Sequence, residues 1–527
     1  MAALTPPASN DLDALYTKQI YFRAGNPILP IRVIEGRQSI LFSSSGPMRM
    51  ILSGESQTLE LSAGVGWTAR VRRGKPAELA LHIQVAELPH ADRSRLAAEA
   101  ALWEGRGFVV RVQSAGALYG LRGKVIDNRR QILLIDTPPE RAEALRMQAT
   151  LRERYGHSPS VFEQIVRRPT GQIEVLDPDG KLVAIAEDEI RIESLEGRPL
   201  QVRQVEFGVG YSFHGFEDRA YRGALALTLD RGGALAVVNV IPLEELLKGL
   251  VPAEMFPRAP IEALKAQAIA ARGVVLAKIG TRHLADPYFL CSEQHCAVYR
   301  GVAAESPSTS AAVDATRGIA LFSKDGKLVN SVYSAVCGGH TEDNDRVWDV
   351  TPDPSLRGKA DLLGHPAILP DSADLAGYLA TDLPAACRVS GFANSDRFRW
   401  ERRFSAAEMD LLAASLGIGS IRSISVEKRG VSGRAQEVRL GGDRGLIEVR
   451  GELEIRKLFG MLNSAMFVVT EEAGPDGTPA GWIFRGGGWG HGVGMCQMGA
   501  IGRALAGQDY REILAFYFNG AQPAQLY

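Results

Sequence analysis

The sequence predicts an α+β protein in which a β-rich N-terminal region carries an inserted βαββαβ module and a mixed α+β domain follows. Short runs of alternating apolar residues fill residues 29–75. Residues 79–168 show the β-α-β-β-α-β order of a split βαβ unit. From residue 241 onward, helical and strand patterns alternate. We therefore predict three regions, at 1–78, 79–168 and 169–527.

The N-terminal region is predicted to be built from short strands separated by Gly and Ser. Its four clearest strand patterns are IRVIEG, SILFSS, MRMILSG and TARVRR. Strand signals return over residues 172–240, where QIEVLDPDGKLVAIA contains the Asp179-Gly180 pair of a tight hairpin turn.

The inserted module is predicted from four strand patterns and two helical patterns. The strands are LALHIQVAEL, FVVRVQS, LYGLRGKVI and SVFEQIV. The helices are DRSRLAAEAALWEGRG and PPERAEALRMQATLRERYG, the second with Pro at its start and Gly156 at its end. In the first helix, the predicted apolar face consists of Leu96, Ala97, Ala100 and Leu102.

Two helices are predicted in the third region, after the strand signals of residues 172–240. The first is IPLEELLKGL, at residues 241–250. The second runs from Pro260, at the favoured first position, to a stop at Gly280. Its predicted buried stripe is Ile261, Leu264, Ala268 and Val275. Further along, IALFSK and LVNSVYSAV read as strands, and the Pro- and Asp-rich residues 351–373 read as a surface loop.

The segment between these two helices, VPAEMFP, holds one carboxylate, Glu254, between Pro252 and Pro257. Proline fixes its own φ and restricts the residue before it, so a stiff loop is predicted. General acid–base catalysis requires an acid held in this way. A solvent-exposed turn glutamate has the same sequence pattern. The residues around Glu254 must therefore distinguish a catalytic acid from a plain turn residue.

Composition and charge exclude several classes of function. The 527 residues are 45% hydrophobic with a net charge of −1, so no global field attracts nucleic acid or anionic lipid. No window approaches the roughly 20 apolar residues of a membrane span. The first residues, MAALTPPASNDLDALYTK, lack the apolar core of an export signal. We expect a soluble chain, either cytoplasmic or exported by a segment outside this sequence.

Residues 485–500, RGGGWGHGVGMCQMGA, contain seven glycines among sixteen residues. Glycine allows positive φ and close approach of a ligand or of another backbone. A phosphate loop would need a Gly-Lys-Ser/Thr ending, which is missing. The alternatives are a structural loop or a sugar platform in which Trp489 and His491 cover the ligand.

The segment HLADPYFLCSEQHCAVYRG suggests a metal site, a disulfide or packed thiols. His283, Cys291 and Cys296 offer the imidazole and thiolate ligands of zinc. We expect the adjacent His295 and Cys296 not to share an ion, whereas Cys337 could join from a distance. Cys496, near His491, is expected to be an inert packed thiol and not a nucleophile.

Six ordered blocks resemble the stage II sporulation protein D family, also called the amidase-enhancer family. The resemblance covers roughly residues 200–527, and its blocks are IPLEELLKGLVPAEM, PIEALKAQAIAARGVVL, CSEQHCAVYRG, SAVCGGHTE, GGGWGHGVGMCQMGA and YREILAFYF. The chain departs from the family at Cys496 and Met498, where Ser and Tyr are usual, and at Ala297, where Gln is common.

The resemblance implies a lytic transglycosylase that cleaves peptidoglycan glycan strands between N-acetylmuramic acid and N-acetylglucosamine. The Glu of the family's V-P-x-E-M motif maps onto Glu254. This residue would protonate the glycosidic oxygen and then accept the proton of the C6 hydroxyl as a 1,6-anhydro ring closes. One carboxylate would serve both steps, with a pKa raised by the apolar Val251, Met255 and Phe256.

The resemblance also implies binding residues and a cell-envelope location, periplasmic or extracellular. Glycan-binding residues are expected at Trp489, Gly490, His491, Gly492, Gln497, Tyr299 and Ser334. No cofactor is required for the chemistry, but a structural zinc ion is expected at His283, Cys291 and Cys296. Residues 79–168 resemble a sporulation-related repeat domain, which binds peptide-stripped glycans, and an unrelated small α+β module is the alternative.

Peptidoglycan strands are the expected partner, with a cell-wall amidase as a second one. Two other functions remain open: a non-catalytic activator of such an amidase, and a glycan-binding protein.

Overall fold

The computed structural model describes residues 15–18, 20–53, 58–121, 124–155, 159–209, 214–293, 295–348, 350–364, 370, 374–392, 395–475 and 477–527. The chain divides into two compact units. The first contains Met1–Glu254, Val275–Ile319 and Gln525–Tyr527, and the second contains Met255–Val274 and Ala320–Ala524. The limits predicted at residues 78 and 168 both fall within the first unit and stay predictions.

The first unit is dominated by strands. They are β1 (Tyr21–Arg23), β2 (Asn26–Arg37), β3 (Ser39–Ser44), β4 (Met48–Leu52), β5 (Thr58–Leu61), β6 (Trp67–Lys75), β7 (Glu78–Pro89), β8 (Val110–Ala115), β9 (Leu118–Leu121), β10 (Lys124–Asp127), β11 (Arg130–Asp136), β12 (Ser160–Arg167), β13 (Thr170–Leu176), β14 (Leu182–Glu187), β15 (Glu189–Ser194), β16 (Leu200–Phe207), β17 (Gly215–Tyr221), β18 (Ala224–Leu229), β19 (Leu235–Pro242) and β20 (Leu290–Cys291). Its helices are α1 (Arg93–Gly105), α2 (Arg141–Tyr155), α3 (Leu243–Glu254), the last four residues of α4 (Ile261–Lys278), and α5 (Pro307–Ala315), with a 3₁₀ turn at Val302–Ala304.

Two large sheets form the body of the first unit. One has the order β1-β2-β19-β18-β15-β4-β5, with β20 added in parallel beside β2. The other has the order β14-β13-β6-β3-β16-β17. All six residues of β18 are buried, which explains why ALALTL is a nearly continuous apolar run. The predicted α+β class is confirmed, and β19 leads directly into α3.

The inserted module has the predicted βαββαβ order, but its third sheet strand was wrongly predicted. The sheet order is β12-β7-β11-β8. LYGLRGKVI does not enter this sheet, because its two halves pair with each other as β9 and β10. The third strand is instead β11, whose sequence RQILLID has too little alternation to be read as a half-buried strand.

The continuous apolar run in β11 reflects burial on both faces of the module's sheet. Leu133 and Ile135 pack with Trp103 beneath the two helices. Ile132 and Leu134 point to the opposite face, where Leu284 of the first unit covers them. In α1 the residue that anchors the helix is Trp103, fully buried, whereas the predicted Leu102 is 44% exposed.

Helix α3 continues through the predicted loop and ends at Glu254, so the stiff-loop prediction was wrong. Its buried residues include Leu243, Leu247, Leu250 and Val251, which continue one apolar stripe past the expected end. Packing of that stripe outweighs the cost of Pro252 in the last turn. Helix α4 forms as predicted, but Ile261 is 43% exposed and does not belong to its buried stripe.

The second unit combines small sheets with short helices. Its strands are β21 (Ile319–Phe322), β22 (Tyr333–Ser334), β23 (Arg399–Ser405), β24 (Ile421–Arg429), β25 (Ala435–Gly442), β26 (Gly445–Arg450), β27 (Phe467–Ala473), β28 (Pro479–Gly487), β29 (Met495–Cys496) and β30 (Gln522–Gln525). Its helices besides α4 are α6 (Asn344–Val347), α7 (Leu375–Ala380), α8 (Ser395–Phe398), α9 (Ala406–Ala413), α10 (Glu452–Leu458), α11 (Gln497–Leu505) and α12 (Tyr510–Tyr517), with a 3₁₀ turn at Ala414–Leu416.

A core of aromatic and aliphatic residues lies between two three-stranded sheets of the second unit, β23-β28-β27 and β24-β25-β26. Phe459, Phe467 and Phe484 form its centre, with ring centroids 4.8–6.2 Å apart. The stretch predicted as a surface loop, 351–373, is partly internal, because Leu356 is 4% exposed and Asp361 is fully buried. Residues 365–369 and 371–373 of that stretch lie outside the described residues.

Candidate functional site

Glu254 is the last residue of α3 and is half-buried. Val251 and Met255 beside it are buried, and Phe256 is half-buried. The predicted apolar neighbours therefore lie next to it in the chain. A helix also presents the negative end of its dipole at its C-terminus, which favours the neutral form of a carboxyl group there.

Lys278, at the end of α4, opposes that tendency and was not predicted. Burial lowers the pKa of Lys278, while its cation is attracted to Cys296, Cys291 and Glu254. Its Nζ donates to the carbonyl oxygen of Cys296 at 2.6 Å. Because charge attraction is mutual, the Lys278 cation favours the carboxylate form of Glu254. No sequence signal distinguishes this lysine from a surface one.

The predicted metal residues lie together in the first unit, and a fourth joins them. Four residues each place one ligand atom within 4.8 Å of the other three: His283, Cys291, His295 and Cys296. His283 Nε2 is 3.2 Å from Cys296 Sγ. His295 Nδ1 is 3.7 Å from Cys291 Sγ and 3.5 Å from Cys296 Sγ. His295, which the sequence disfavoured as a ligand beside Cys296, therefore has its ring nitrogen near both sulfurs, and whether the two residues share an ion stays a prediction.

The surroundings of this group fit a zinc ion. Two imidazoles and two thiols are the ligand set of a closed Cys₂His₂ site. The other ring nitrogen of His283, Nδ1, is 3.1 Å from Asp286 Oδ2, a carboxylate contact that orients a ligating histidine. A hydrogen bond from Cys296 lowers the pKa of the Cys291 thiol, against the effect of burial, and His283 and His295 add to it. A thiolate, the form that binds a metal, is thus favoured at Cys291.

Cys337 does not join this group, contrary to the sequence expectation. It lies in the second unit, within a separate buried group formed with Asp361, Cys387 and Cys496. All five cysteines are free thiols. A disulfide, one of the open alternatives for Cys291 and Cys296, is therefore not formed in this structure.

The glycine-rich segment lies in the second unit and uses glycine for its conformation. Gly488, Gly490, Gly492 and Gly494 all have positive φ, between 71° and 94°. A Cβ on Gly492 would lie 2.4 Å from the guanidinium carbon of Arg434. A larger residue would therefore be strained at these positions and would also clash at Gly492.

Two residues that lie between these left-handed glycines, Trp489 and His491, are at least partly exposed to solvent. Trp489 is 38% exposed, and its backbone exchanges hydrogen bonds of 2.8 and 3.1 Å with Val336. His491 is half-buried, with its ring centroid 5.0 Å from that of Trp348. Trp348 is 37% exposed and was not predicted. The Arg397 guanidinium lies 5.0 Å from the Trp489 ring centroid. We call Trp348, Trp489, His491 and Arg397 the aromatic patch.

The other predicted glycan-binding residues are mostly internal. Ser334 and Gln497 are 6% and 7% exposed, and Gln497 donates to Gln267 at 3.3 Å. Tyr299, in the first unit, is 2% exposed and donates to Asn239 at 3.1 Å. Among the described residues, the Ser334 hydroxyl has no hydrogen-bond partner. Direct contact of these three with a glycan stays a prediction.

Two family models match the chain. One, described as stage II sporulation protein, matches residues 231–322. This range contains Glu254 and the His/Cys group of the first unit. The other, described as a domain of unknown function, matches residues 342–494, which include the aromatic patch.

Two curated proteins are similar to the chain. An uncharacterized protein of Brachyspira hyodysenteriae is 31% identical over 315 residues, which cover 59% of this chain and 73% of that protein. The amidase enhancer of Bacillus subtilis is 30% identical over 299 residues, which cover 52% of this chain but only 39% of that protein.

A solved structure, that of a candidate exported protein from Burkholderia pseudomallei, is 18% identical with a TM-score of 0.17. The similarity covers 31% of this chain and 27% of that one. It is too distant to carry an argument. Within the described part of the chain, no helix has the length and apolar character that crossing a membrane requires.

Proposed function

The chain belongs to the stage II sporulation protein D family, also called the amidase-enhancer family, and from this membership we propose that it is a lytic transglycosylase of the cell envelope. Its substrate would be the glycan strands of peptidoglycan, cleaved between N-acetylmuramic acid and N-acetylglucosamine. The observation that carries the proposal is the position of Glu254 at the end of α3, within the matched segment and beside buried apolar residues.

Glu254 would act twice in the reaction. In its neutral form it donates a proton to the glycosidic oxygen, and the bond from the anomeric carbon of N-acetylmuramic acid breaks. As a carboxylate it then accepts the C6 hydroxyl proton while O6 bonds to that carbon. No water is consumed, and the sugar becomes a 1,6-anhydro end. A single residue in both roles distinguishes this scheme from the two-carboxylate glycosidases.

The two electrostatic influences on Glu254 suit a residue that must both lose and regain a proton. Buried neighbours and the helix C-terminus favour the neutral acid. Lys278 favours the carboxylate. We assign Lys278 as a positioning residue that balances the two forms of Glu254.

Zinc would have a structural role. His283, Cys291, His295 and Cys296 would hold it, and a bound ion would fix the segment between α4 and β20. Lys278, bonded to Cys296, connects this segment to the surroundings of Glu254. No step of the reaction needs the ion.

The aromatic patch of the second unit would bind the glycan. Aromatic faces cover apolar sugar faces, and both tryptophans are exposed enough to do so.

Glycan binding by residues 79–168 is a separate proposal. Because both faces of the sheet's inner strand β11 are covered, we direct this proposal to the hairpin β9–β10, where Leu118 and Val125 are 54% and 63% exposed.

The name of the Bacillus subtilis relative supports a second candidate, a non-catalytic activator of a cell-wall amidase. Both candidates place the protein at the cell envelope. They differ in whether Glu254 is needed.

Glu254→Gln separates the two candidates. It keeps the shape of the side chain but cannot donate a proton as an acid. We expect it to abolish release of 1,6-anhydro muropeptides from purified strands, measured by mass spectrometry. Glu245→Gln is the matched control, since Glu245 lies on the same helix and pairs with Lys248 at 3.2 Å. Full glycan cleavage by Glu254→Gln, or amidase stimulation without any cleavage by the wild type, would reject the enzymatic proposal.

A further inference from the structure

A second group of metal-binding side chains lies in the second unit, apart from the residues assigned so far. Ligand atoms of Cys337, Asp361, Cys387 and Cys496 all lie within 4.8 Å of one another. Each of the four residues is at most 1% exposed. They come from distant parts of the chain: after β22, the loop that follows α6, the loop that follows α7, and the end of β29.

The distances in this group match those between ligands of one tetrahedral ion. With bonds of about 2.3 Å to sulfur and about 2.0 Å to oxygen, tetrahedral geometry places two sulfurs about 3.8 Å apart and a sulfur and an oxygen about 3.5 Å apart. Cys337 Sγ is 3.6 Å from Cys387 Sγ and 3.3 Å from Asp361 Oδ2. The sulfurs thus face one another and a carboxylate, whereas inert core thiols would face apolar side chains.

Neighbouring groups orient Asp361 and Cys496, two of the four side chains, as outer-shell partners orient metal ligands. Arg503 donates to Asp361 Oδ1 from Nε at 3.1 Å and from Nη2 at 2.8 Å, and the Tyr517 hydroxyl donates to Oδ2 at 2.8 Å. The backbone N–H groups of Cys337 and Gly499 donate to Cys496 Sγ at 3.1 and 3.3 Å. These contacts fix Asp361 and stabilise negative charge on sulfur.

The charge balance of a loaded site is also favourable. Three thiolates and one carboxylate around a divalent ion leave two negative charges. Arg503 pairs with Asp361, and the cation of Arg399 is attracted to Cys387 and Cys337. Without an ion, the deprotonated forms of all four residues would repel one another in a buried space.

We propose that Cys337, Asp361, Cys387 and Cys496 form a structural site for a single thiophilic divalent cation of the zinc class. The site would join four segments that are distant in sequence. It would also hold the glycine-rich segment, because Cys496 ends β29 and Cys337 follows Val336, the backbone partner of Trp489. Its function is independent of glycan cleavage.

Metal analysis of the full-length chain, purified without chelators, tests this site. The double variant Cys291→Ser/Cys296→Ser removes two ligands of the first group. We expect it to retain about one zinc per chain, and the further change Cys387→Ser to remove that zinc. With cobalt as the probe metal, the double variant should show the thiolate-to-cobalt absorption of three sulfur ligands, and Cys387→Ser should weaken it.

If the double variant fails to fold, the wild type and Cys387→Ser alone give the answer, with about two zinc ions expected for the former and one for the latter. A metal-free double variant would overturn the proposal. So would a wild type in which Cys387→Ser leaves the zinc content unchanged. Resistance of Cys337 and Cys387 to alkylation in denatured, unreduced protein would identify a disulfide between them. That result, too, would overturn the proposal.

Discussion

At the scale of single residues, Glu254 is governed by charges and burial that oppose each other. Its sequence neighbours Val251 and Met255 are buried, whereas the cation of Lys278 comes from the end of another helix. Local sequence cannot give such a contact, because it depends on how α3 and α4 are placed by the fold. His295 and Trp348 were missed for the same reason.

Removing the Lys278 charge should shift the pH dependence of cleavage. Without the cation, the neutral form of Glu254 persists to higher pH, so the alkaline limb of the rate profile moves upward in Lys278→Met. We expect this upward shift in pH profiles of anhydro-product release. Lys327→Met, at an exposed turn, is the control. An unchanged profile in Lys278→Met would remove this lysine from the account.

Burial of His340 should make stability depend on pH. Burial lowers the pKa of His340 to about 4, below its ordinary value near 6.5. The unfolded chain therefore binds this proton first, and stability is lost as the pH falls from about 6.5 toward 4, by up to about 3 kcal/mol. His340→Gln should lose that part of the dependence in urea unfolding between those limits. The exposed His214→Gln should retain it, and equal curves for His340→Gln and the wild type would contradict the assignment.

The aromatic patch gives a prediction on binding. Trp348→Ala and Trp489→Ala should each weaken binding to uncleaved glycan strands about tenfold, the equivalent of about 1.4 kcal/mol. Binding can be measured by co-sedimentation in the Glu254→Gln background, so that cleavage does not intervene. Leu446→Ala, at a 62% exposed side chain of the same unit, should bind normally. Undiminished binding in both tryptophan variants would exclude the patch.

At the scale of elements, the inserted module stabilises the end of α4. The Asn128 side-chain amide donates to the carbonyl oxygens of Leu276, Ala277 and Ile279 at 3.3, 3.2 and 2.8 Å. The backbone N–H of Gly116 adds a bond of 2.6 Å to the Gly280 carbonyl. The last carbonyl groups of a helix have no hydrogen-bond donor within the helix. Here the inserted module supplies those donors.

Asn128→Ala should therefore destabilise the first unit by about 1–3 kcal/mol, because it leaves several half-buried carbonyls without donors. Chemical denaturation followed by a probe in that unit measures the change. Gln113→Ala is the control, since Gln113 makes only an exposed contact with its neighbour. If Asn128→Ala destabilises the first unit no more than Gln113→Ala does, the module does not support α4.

Elements were predicted well where one periodicity dominated and poorly where burial was two-sided. Strands β3, β4 and β6 match their predicted patterns to within two residues, whereas β2 begins at Asn26, five residues before its pattern. Strand β11 was missed because both of its faces are buried, and α3 was ended too early because Pro252 was given more weight than the apolar stripe.

At the scale of the whole molecule, the proposed machinery is distributed over two units. The first unit holds Glu254, Lys278 and the group of His283, Cys291, His295 and Cys296. The second unit holds the aromatic patch and the group of Cys337, Asp361, Cys387 and Cys496. Ordered sequence blocks predicted which residues matter but not this division, because the second unit takes most of α4 from between segments of the first. The second thiol group could not be predicted, since its four ligands are spread over 160 positions without a common motif.

The most direct test of the central claim is digestion of purified glycan strands in ¹⁸O-labelled water. If the C6 hydroxyl closes the ring, as proposed for Glu254, the new N-acetylmuramic acid ends are 1,6-anhydro sugars without label, and Glu254→Gln forms none. Reducing ends that carry ¹⁸O would show that water attacks the sugar, and they would contradict the account.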